Sequence, residues 1–219
     1  MEQSLENKIV LVTGASRGLG RAVAVAAATR GAHVVAVART VGGLEELADV
    51  IDTLPGGVTL VPLDLSDDPG VQRMCLAVHE RWGRVDAWVH TAIYAAPLSP
   101  ASHVAEKELD KSIAVNWRVT QRLVTLVEPL LKAAPAGHAV MMDDPVAGQP
   151  HYGAYGASKA AQRALVQSWQ AETRQTGPRV TLHTPAPMPT AVRARFHPGE
   201  NRDTLAEVAA EGEKVAALL

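Results

Sequence analysis

Short apolar runs alternate along the chain with longer segments that have the spacing of amphipathic helices. Continuous apolar runs predict strands that are buried on both faces. They cover Lys8–Thr13, His33–Ala38, Val58–Leu63, Val85–Val89, His138–Met142 and Arg179–His183. Helical patterns fill the intervals, over Gly18–Arg30, Leu44–Leu54, Pro69–Trp82, Glu106–Lys132 and Tyr155–Gln175. This alternation predicts an α/β fold, a doubly wound parallel sheet of about six strands with helices on both faces.

The C-terminal part of the chain has a weaker pattern. The proline-rich stretch Thr184–Thr190 breaks the alternation, and after it only Thr204–Leu219 has helical spacing. We therefore expect residues 1–219 to form a single domain, in which 186–219 supply a flap and a C-terminal helical segment.

Composition and charge exclude several classes of protein. The 219 residues include 21 Lys and Arg against 23 Asp and Glu, a net charge of −2 that gives no basic surface for nucleic acid. The single Cys75 forms no internal disulfide, and no apolar run approaches the about 20 residues that cross a membrane. The polar N-terminus does not resemble a signal peptide, and the eight histidines are scattered without metal-ligand spacing. We expect a cytoplasmic protein with no metal site, no nucleic acid and no membrane partner.

A glycine-rich loop, Thr13–Gly20, stands between the first predicted strand and the first predicted helix. Gly14 permits a tight turn, Gly18 lets the backbone approach a pyrophosphate, and Gly20 lets the helix pack close to the strand. Backbone amides at the helix N-terminus then face the anion. In this position the loop predicts a dinucleotide site.

The end of the second predicted strand indicates which dinucleotide binds. An Asp or Glu there commonly binds the ribose hydroxyls of NAD, whereas an Arg suits the additional phosphate of NADP. The chain has Arg39 and no acid at this point, and Arg17 in the glycine loop could reach the same phosphate. We therefore predict that NADP(H) is preferred over NAD(H).

Tyr155 and Lys159 lie four residues apart at the start of a predicted helix, which places the phenol and the ammonium on one face. A phenol titrates near pH 10 and needs a nearby cation to carry a proton at neutral pH, which Lys159 could supply. The same spacing also occurs in pairs that merely face solvent.

Taken together, the Thr13–Gly20 loop, Asp64-Leu65 after the third strand, Asn116, Tyr155 and Lys159 resemble the classical short-chain dehydrogenase/reductase family. The resemblance runs from about Lys8 to Thr190 and implies a Rossmann-type domain that passes hydride between a nicotinamide and a small-molecule substrate. It also implies a homodimer or homotetramer.

The same resemblance implies roles for individual residues. Tyr155 would exchange a proton with a carbonyl or alcohol oxygen, Lys159 would hold the nicotinamide ribose and depress the Tyr155 pKa, and Asn116 would hold a water in the proton relay. Asp64 would bond the adenine, and Thr190 would contact the carboxamide. The full implied cofactor set is Gly14, Ser16, Arg17, Gly18, Leu19, Gly20, Arg39, Asp64, Leu65, Thr91, Ala92, Tyr155, Lys159, Pro185, Met188 and Thr190.

Some positions depart from the family pattern. Thr91-Ala92-Ile93 stands for Asn-Ala-Gly, and Pro185-Ala186 stands for Pro-Gly. The family's catalytic Ser precedes the Tyr, but the matching stretch, Met141–Pro145, contains no hydroxyl. No seventh strand is predicted.

Asp143 lies in that stretch and is the candidate that completes a catalytic set with Tyr155, Lys159 and Asn116. The pteridine reductase branch of the family has an Asp-Tyr-Lys set, a weaker similarity because Asp143 and Asp144 lie 12 and 11 residues before Tyr155, one or two positions out of register. Three functions stay open: a carbonyl or alcohol oxidoreductase, a pteridine-reductase-like enzyme, and a non-catalytic NADP-binding or scaffold protein.

Overall fold

Six parallel strands form one sheet in the order β3-β2-β1-β4-β5-β6 in the computed structural model, which describes residues 4–219. The strands are β1 Ile9–Thr13, β2 His33–Ala38, β3 Gly57–Pro62, β4 Ala87–His90, β5 His138–Met142 and β6 Arg179–His183. The helices are α1 Gly18–Thr29, α2 Val41–Ile51, α3 Asp68–Trp82, α4 Glu106–Ser112, α5 Val119–Lys132, α6 Gly153–Thr173, α7 Ala191–Phe196 and α8 Val208–Ala216. The predicted doubly wound α/β fold is therefore confirmed.

The pleat of the sheet sends alternate side chains to two separate apolar cores. Val10 and Val12 of β1 face a core that includes Val23 of α1 and Leu47 of α2. Leu11, between them, faces the other core, which is filled by side chains of α3, α5 and α6. Every residue of β1 is buried, as the continuous apolar run predicts. The central strands are therefore held rigidly from both sides.

The structure differs from the predicted elements in a few places. Strand β3 is only half-buried, because it is an edge strand with a neighbour on one side. The predicted helix 106–132 is interrupted by a π-helical turn, Ile113–Arg118, between α4 and α5. Short 3-10 turns occur at Ala101–His103 and Arg202–Thr204, and α7 was not anticipated. The predicted helix 204–219 is reduced to α8.

Helix α8 packs directly on α1. A Cβ added to Gly212 would lie 2.7 Å from the Ala22 carbonyl carbon, so only glycine allows this approach. Arg30 also donates to Glu213 at 2.8 Å. The C-terminal segment is thereby fixed against α1.

Two features are absent from the residues that the structure describes. None of the helices within 4–219 is long and apolar enough to cross a membrane. Over the same range, no group of three or more His, Cys, Asp or Glu side chains is arranged to hold a metal ion.

Candidate active site

The candidate site lies where the strand order reverses, between β1 and β4. In an open parallel sheet the loops that leave the carboxyl ends of two such strands diverge, and the crevice between them is the usual ligand site. Here the glycine loop follows β1, and Thr91 and Ala92 follow β4. The sequence-predicted nucleotide loop is therefore placed at this crevice.

Glycine is favoured at the three positions of the loop for different physical reasons. Gly14 has a φ of +93°, and a Cβ on Gly20 would lie 2.3 Å from the Gly14 carbonyl oxygen. These two positions are closed by protein packing. Gly18 has a φ of +55°, and the nearest atom to a Cβ there would be the Thr190 methyl at 3.5 Å. A Cβ at Gly18 would therefore be in ordinary van der Waals contact with Thr190, so packing does not exclude a side chain there, and it is the positive φ that favours glycine.

The N-terminus of α1 has the properties of an anion site. Arg17 occupies the N-cap position, no side chain caps the first-turn amides, and the first turn has no acidic residue. Free amides and the helix dipole together attract a phosphate. These residues fit a dinucleotide pyrophosphate, with Gly18 admitting the approach of the ligand.

The residues expected at the adenosine end lie at the carboxyl ends of β2 and β3. The Arg39 guanidinium is 3.8 Å from the Asp64 carboxylate, and both side chains are largely exposed. Asp64 also accepts hydrogen bonds from the Ser66 amide at 2.9 Å and the Ser66 hydroxyl at 2.6 Å. An exposed ion pair is weak, so Arg39 is available to an incoming phosphate.

Several other expected cofactor residues support the crevice through packing. Thr91 donates its hydroxyl to the Thr13 carbonyl at 2.9 Å and so joins the ends of β4 and β1. The Thr190 hydroxyl caps α7 by accepting from the Arg193 amide at 3.2 Å. The side chains of Leu65 and Met188 are buried, those of Ala92, Leu19 and Pro185 are partly buried, and Ser16 lies against Gly43 of α2.

The Tyr155 phenol is buried and hydrogen-bonded to a carboxylate. Its hydroxyl donates to Asp144 Oδ2 at 2.9 Å. Asp143, the expected partner, lies elsewhere: its Oδ2 is 2.9 Å from the Arg163 guanidinium, and its Oδ1 accepts from the Asp144 amide at 2.8 Å. The expectation for Asp143 was wrong because β5 ends at Met142, and the side chains of successive residues that leave an extended strand point in opposite directions.

The charge balance at Tyr155 also differs from the expectation. Burial raises the pKa of Tyr155 well above its usual value, and the adjacent Asp144 carboxylate raises it further. Lys159 does not offset these effects. Burial lowers the pKa of Lys159 itself to about 8, even though Asp143 and Asp144 act in the opposite direction. At neutral pH the site therefore holds a neutral phenol, a carboxylate and a buried ammonium.

Asn116 lies in the π-helical turn, and its polar groups are already engaged. Its side-chain oxygen accepts from the Tyr94 amide at 2.7 Å, and its amide donates to the Tyr94 carbonyl and the Ser158 hydroxyl, each at 2.9 Å. Its backbone carbonyl accepts the Thr120 hydroxyl at 2.9 Å. Asn116 thus fixes the loop after β4 against α6, rather than presenting a free amide to a water.

An aromatic cluster covers Tyr155. The Phe196 ring of α7 lies 4.8 Å from the Tyr155 ring and 5.2 Å from the Tyr152 ring, measured between centroids. Ile93, which stands where the family pattern has a glycine, packs against the same cluster. Neither Tyr152 nor Phe196 is among the site residues expected from the sequence. The position of Tyr152, three residues before Tyr155 and so on the same helical face, was the available signal.

Two arginines of the flap, Arg193 and Arg195 of α7, are engaged within the protein. Arg193 donates to Glu200 at 2.7 Å, and Arg195 donates to the Ala95 carbonyl. These contacts hold α7 over the aromatic cluster. The flap arginines therefore close the crevice instead of presenting charge to it.

The fold and the site together define a dinucleotide-binding α/β protein with a buried Tyr–Lys pair on α6. The sequence pattern of the family described as short chain dehydrogenase matches residues 8–201. The chain belongs to this family, and it is an NAD(P)-dependent oxidoreductase. The family acts on small-molecule substrates.

Relatives in sequence and in structure agree with this assignment. An oxidoreductase of Listeria innocua is 31% identical over 185 residues, 83% of this chain and 73% of that protein. D-threitol dehydrogenase of Mycolicibacterium smegmatis is 30% identical over 210 residues, 95% of this chain and 80% of that protein. A short chain dehydrogenase from Shigella flexneri complexed with NADP has a TM-score of 0.87 at 28% identity, covering 95% of this chain and 89% of the other. One from Escherichia coli complexed with NADPH has a TM-score of 0.85 at 28% identity, covering 94% and 87%.

Proposed function

We propose that this protein is an NADP-preferring dehydrogenase/reductase that transfers hydride between the nicotinamide and a small carbonyl or alcohol substrate. Tyr155, Lys159 and Asn116 form the site, and the family's usual Ser is absent. The observation that carries the proposal is the buried Tyr155–Lys159 pair on the first turns of α6, with the Lys159 ammonium bonded to the Met142 carbonyl at the end of β5. When bound, the nicotinamide supplies or accepts the hydride.

The proposed preference for NADP rests on two arginines near the carboxyl ends of β1 and β2. Arg39 follows β2 where an acidic residue would favour NAD, and Arg17 stands at the N-cap of α1. Both guanidinium groups are exposed, and neither is held by a strong ion pair. Related chains have been solved with NADP and with NADPH, which supports the same choice.

Four side chains of the protein have separate roles in the proposed reaction. The Tyr155 hydroxyl provides the proton that the substrate oxygen takes up when it is reduced. Lys159 offers its ammonium to the ribose hydroxyls, and Asn116 fixes the loop after β4, at Tyr94, against Ser158 of α6. The ring of Phe196 excludes water from the phenol.

A second candidate function follows from the Asp144–Tyr155 hydrogen bond. A carboxylate beside the proton donor opposes formation of a phenolate, but it stabilises a substrate that carries positive charge or N–H donors. Reduction of a ring C=N bond, as in the pteridine reductase branch, has this character. Asp144, rather than Asp143, is then the carboxylate of the Asp-Tyr-Lys set.

We also propose a cytoplasmic homodimer or homotetramer that uses the surfaces of 106–132 and 155–175. The indole of Trp117 is 40% exposed on the first of these surfaces, which is unusual for a large aromatic side chain and favours contact with another copy. Cys75 is a free thiol, as a reducing compartment allows. Sedimentation of the wild type and of Trp117→Ser tests the oligomer.

The first experiment is a titration of the protein with NADPH and with NADH, followed by nicotinamide fluorescence. We expect tighter binding of NADPH, and we expect Arg39→Ala to weaken NADPH binding about fivefold to thirtyfold, since a partly solvated contact to a charged group contributes about 1–2 kcal/mol. Binding of NADH should change little. Arg73→Ala, which removes an equally exposed arginine of α3, is the matched control. Equal affinity for the two cofactors would contradict the proposed preference.

A turnover screen separates the functional alternatives. NADPH oxidation is measured with ketone, aldehyde, cyclic imine and pterin probes, for the wild type and for Tyr155→Phe. Carbonyl turnover that Tyr155→Phe abolishes supports the first function, and turnover confined to imines or pterins supports the second. Cofactor binding without turnover of any probe points to the non-catalytic alternative.

A further inference from the structure

A chain of buried polar side chains connects the central strands to the candidate site. It runs from Trp88 through Thr13, His90 and Thr120 to Gln162 and Lys159, and we refer to these residues as the buried polar chain. Each is at most 4% exposed. Polar groups in such a position must be satisfied by each other, so the pattern of donors and acceptors can be worked out.

The directions of the bonds at the strand end are fixed by Thr120. Its hydroxyl has one proton, which it donates to the Asn116 carbonyl at 2.9 Å. The Thr120 oxygen therefore accepts from its other neighbours, including His90 Nε2 at 3.1 Å. His90 consequently carries its proton on Nε2, and its Nδ1 accepts from the Thr13 hydroxyl at 2.8 Å. Trp88 completes the chain by donating to the Thr13 oxygen at 3.1 Å.

This pattern requires a neutral His90. Burial lowers the pKa of His90 to about 3, and the nearby Lys159 charge acts in the same direction. The imidazole therefore stays neutral across the physiological range. The buried polar chain keeps one arrangement of donors and acceptors over that range.

The same logic orients the amide of Gln162. Its Nε2 donates to Thr120 at 2.9 Å, so its Oε1 must face the other way, toward Lys159. The ammonium donates to this Oε1 and to the Met142 carbonyl, the latter at 2.7 Å. In the flipped orientation the Gln162 NH2 group would face the Lys159 ammonium, where it would find no hydrogen-bond acceptor. The buried polar chain therefore presents a fixed oxygen to Lys159.

Two of the three N–H groups of Lys159 thus donate to oxygens within the part of the chain that the structure describes, and the third is left to donate to a ligand. The i,i+3 spacing of Lys159 and Gln162 on α6 keeps both side chains on one face of the helix. We propose that Gln162 is a positioning residue that holds the Lys159 ammonium, and its charge, in place for the cofactor. This inference rests on the proposed function, in which Lys159 binds the nicotinamide ribose.

Gln162 also affects the protonation of Lys159. Burial destabilises the ammonium, whereas an oxygen acceptor stabilises it. The charged groups that face Lys159 are Asp143 and Asp144 after β5 and Arg163 on α6, and the neutral His90 lies at the end of β4. Substitutions at Gln162 leave all of these groups in place, so a shift in the Lys159 titration reports the loss of the acceptor.

The test is a titration of the Lys159 side chain in the cofactor-free protein, by NMR of protein labelled with ¹³C at the lysine Cε, with Lys159→Met to assign the signal. Gln162→Met keeps the shape of the side chain but removes the acceptor, and we expect it to lower the Lys159 pKa by about one unit. Gln162→Glu replaces the amide with a carboxylate and should raise the pKa. Gln170→Met, on the exposed face of α6, is the matched control and should leave the pKa unchanged.

The second readout is NADPH affinity as a function of pH. Wild-type affinity should fall as pH rises through the Lys159 pKa, and in Gln162→Met the midpoint of this fall should move to lower pH. An unchanged Lys159 titration in both Gln162 variants would overturn the inference, as would an equal shift in Gln170→Met. Failure of the wild type to bind NADPH would instead contradict the proposed function, and the NMR titration would still decide the role of Gln162.

Discussion

Replacement of Asp144 by Asn is the sharpest test of the candidate site, because Asp144 accepts the hydrogen bond of the buried Tyr155 hydroxyl. The Tyr155 hydroxyl donates to Asp144 Oδ2 at 2.9 Å, and the carboxylate raises the Tyr155 pKa in addition to the effect of burial. Asn keeps the shape of the side chain and removes its charge. We therefore expect Asp144→Asn to lower the Tyr155 pKa.

The size of the shift follows from the geometry. A hydrogen bond to a charged acceptor contributes about 1.5–3 kcal/mol, which corresponds to about one to two pKa units. The repulsion between a phenolate and a carboxylate at this separation would add up to about 6 kcal/mol at an effective dielectric constant of about 20. The partial exposure of Asp144 screens that repulsion, so we take the hydrogen bond alone as the lower bound, a decrease of about one unit or more.

The assay is a spectrophotometric pH titration of tyrosinate absorbance. The chain contains Tyr94, Tyr152 and Tyr155, and subtraction of the same titration in a Tyr155→Phe background isolates Tyr155. Asp143→Asn is the matched control, because it removes the same charge from a carboxylate paired with Arg163. We expect it to produce a smaller shift. If Asp144→Asn leaves the Tyr155 titration unchanged, or shifts it no more than Asp143→Asn does, the assignment of Asp144 is wrong.

The same variant distinguishes the two proposed reactions. If the substrate is a carbonyl, a more acidic Tyr155 is a better proton donor, so Asp144→Asn should increase turnover at neutral pH. If the substrate is a C=N bond that gains positive charge, loss of the carboxylate should reduce turnover tenfold or more, about 1.4 kcal/mol or more of transition-state stabilisation. The sign of the change in kcat/KM therefore indicates the substrate class.

Three further substitutions test the fold that supports the site. Gly20→Ala places a Cβ within 2.3 Å of the Gly14 carbonyl oxygen, so we expect about 1–3 kcal/mol of lost stability and loss of NADPH binding, measured by urea unfolding and titration. Gly42→Ala, which has no neighbour within 4 Å, should instead stabilise α2 by about 0.5–1 kcal/mol. Burial lowers the pKa of His138 to about 4 from 6.5. The folded state favours the neutral imidazole, so the contribution of His138 to the free energy of unfolding is complete above about pH 6.5 and is lost as the pH falls toward 4. His138→Gln removes this titration and should reduce the loss of unfolding free energy between about pH 7 and pH 4 by about 3 kcal/mol. A Gly20→Ala protein as stable as wild type, or an unchanged acid dependence in His138→Gln, would contradict these arguments.

The sequence alone determined the parts of the molecule that depend on local chemistry. Apolar runs such as His33–Ala38 can only be buried strands, and the glycine loop between a strand and a helix has few other uses. The spacing of Tyr155 and Lys159 fixed their common helical face, since helical geometry is local. These features were sufficient to predict the doubly wound sheet, its six strands and the family.

Only the tertiary structure decided which groups meet at the site. Asp143 and Asp144 are adjacent and chemically identical, and the direction in which each leaves the end of β5 settles that Asp144 contacts the phenol while Asp143 pairs with Arg163. The same holds for Gln162 and His90, which are 72 residues apart and meet at Thr120 because β4 and α6 pack against α5 and the preceding π-helical turn. Sequence spacing determines neighbours along one helix or strand. Contacts between elements depend on packing of the whole core, and so do the protonation states that those contacts impose.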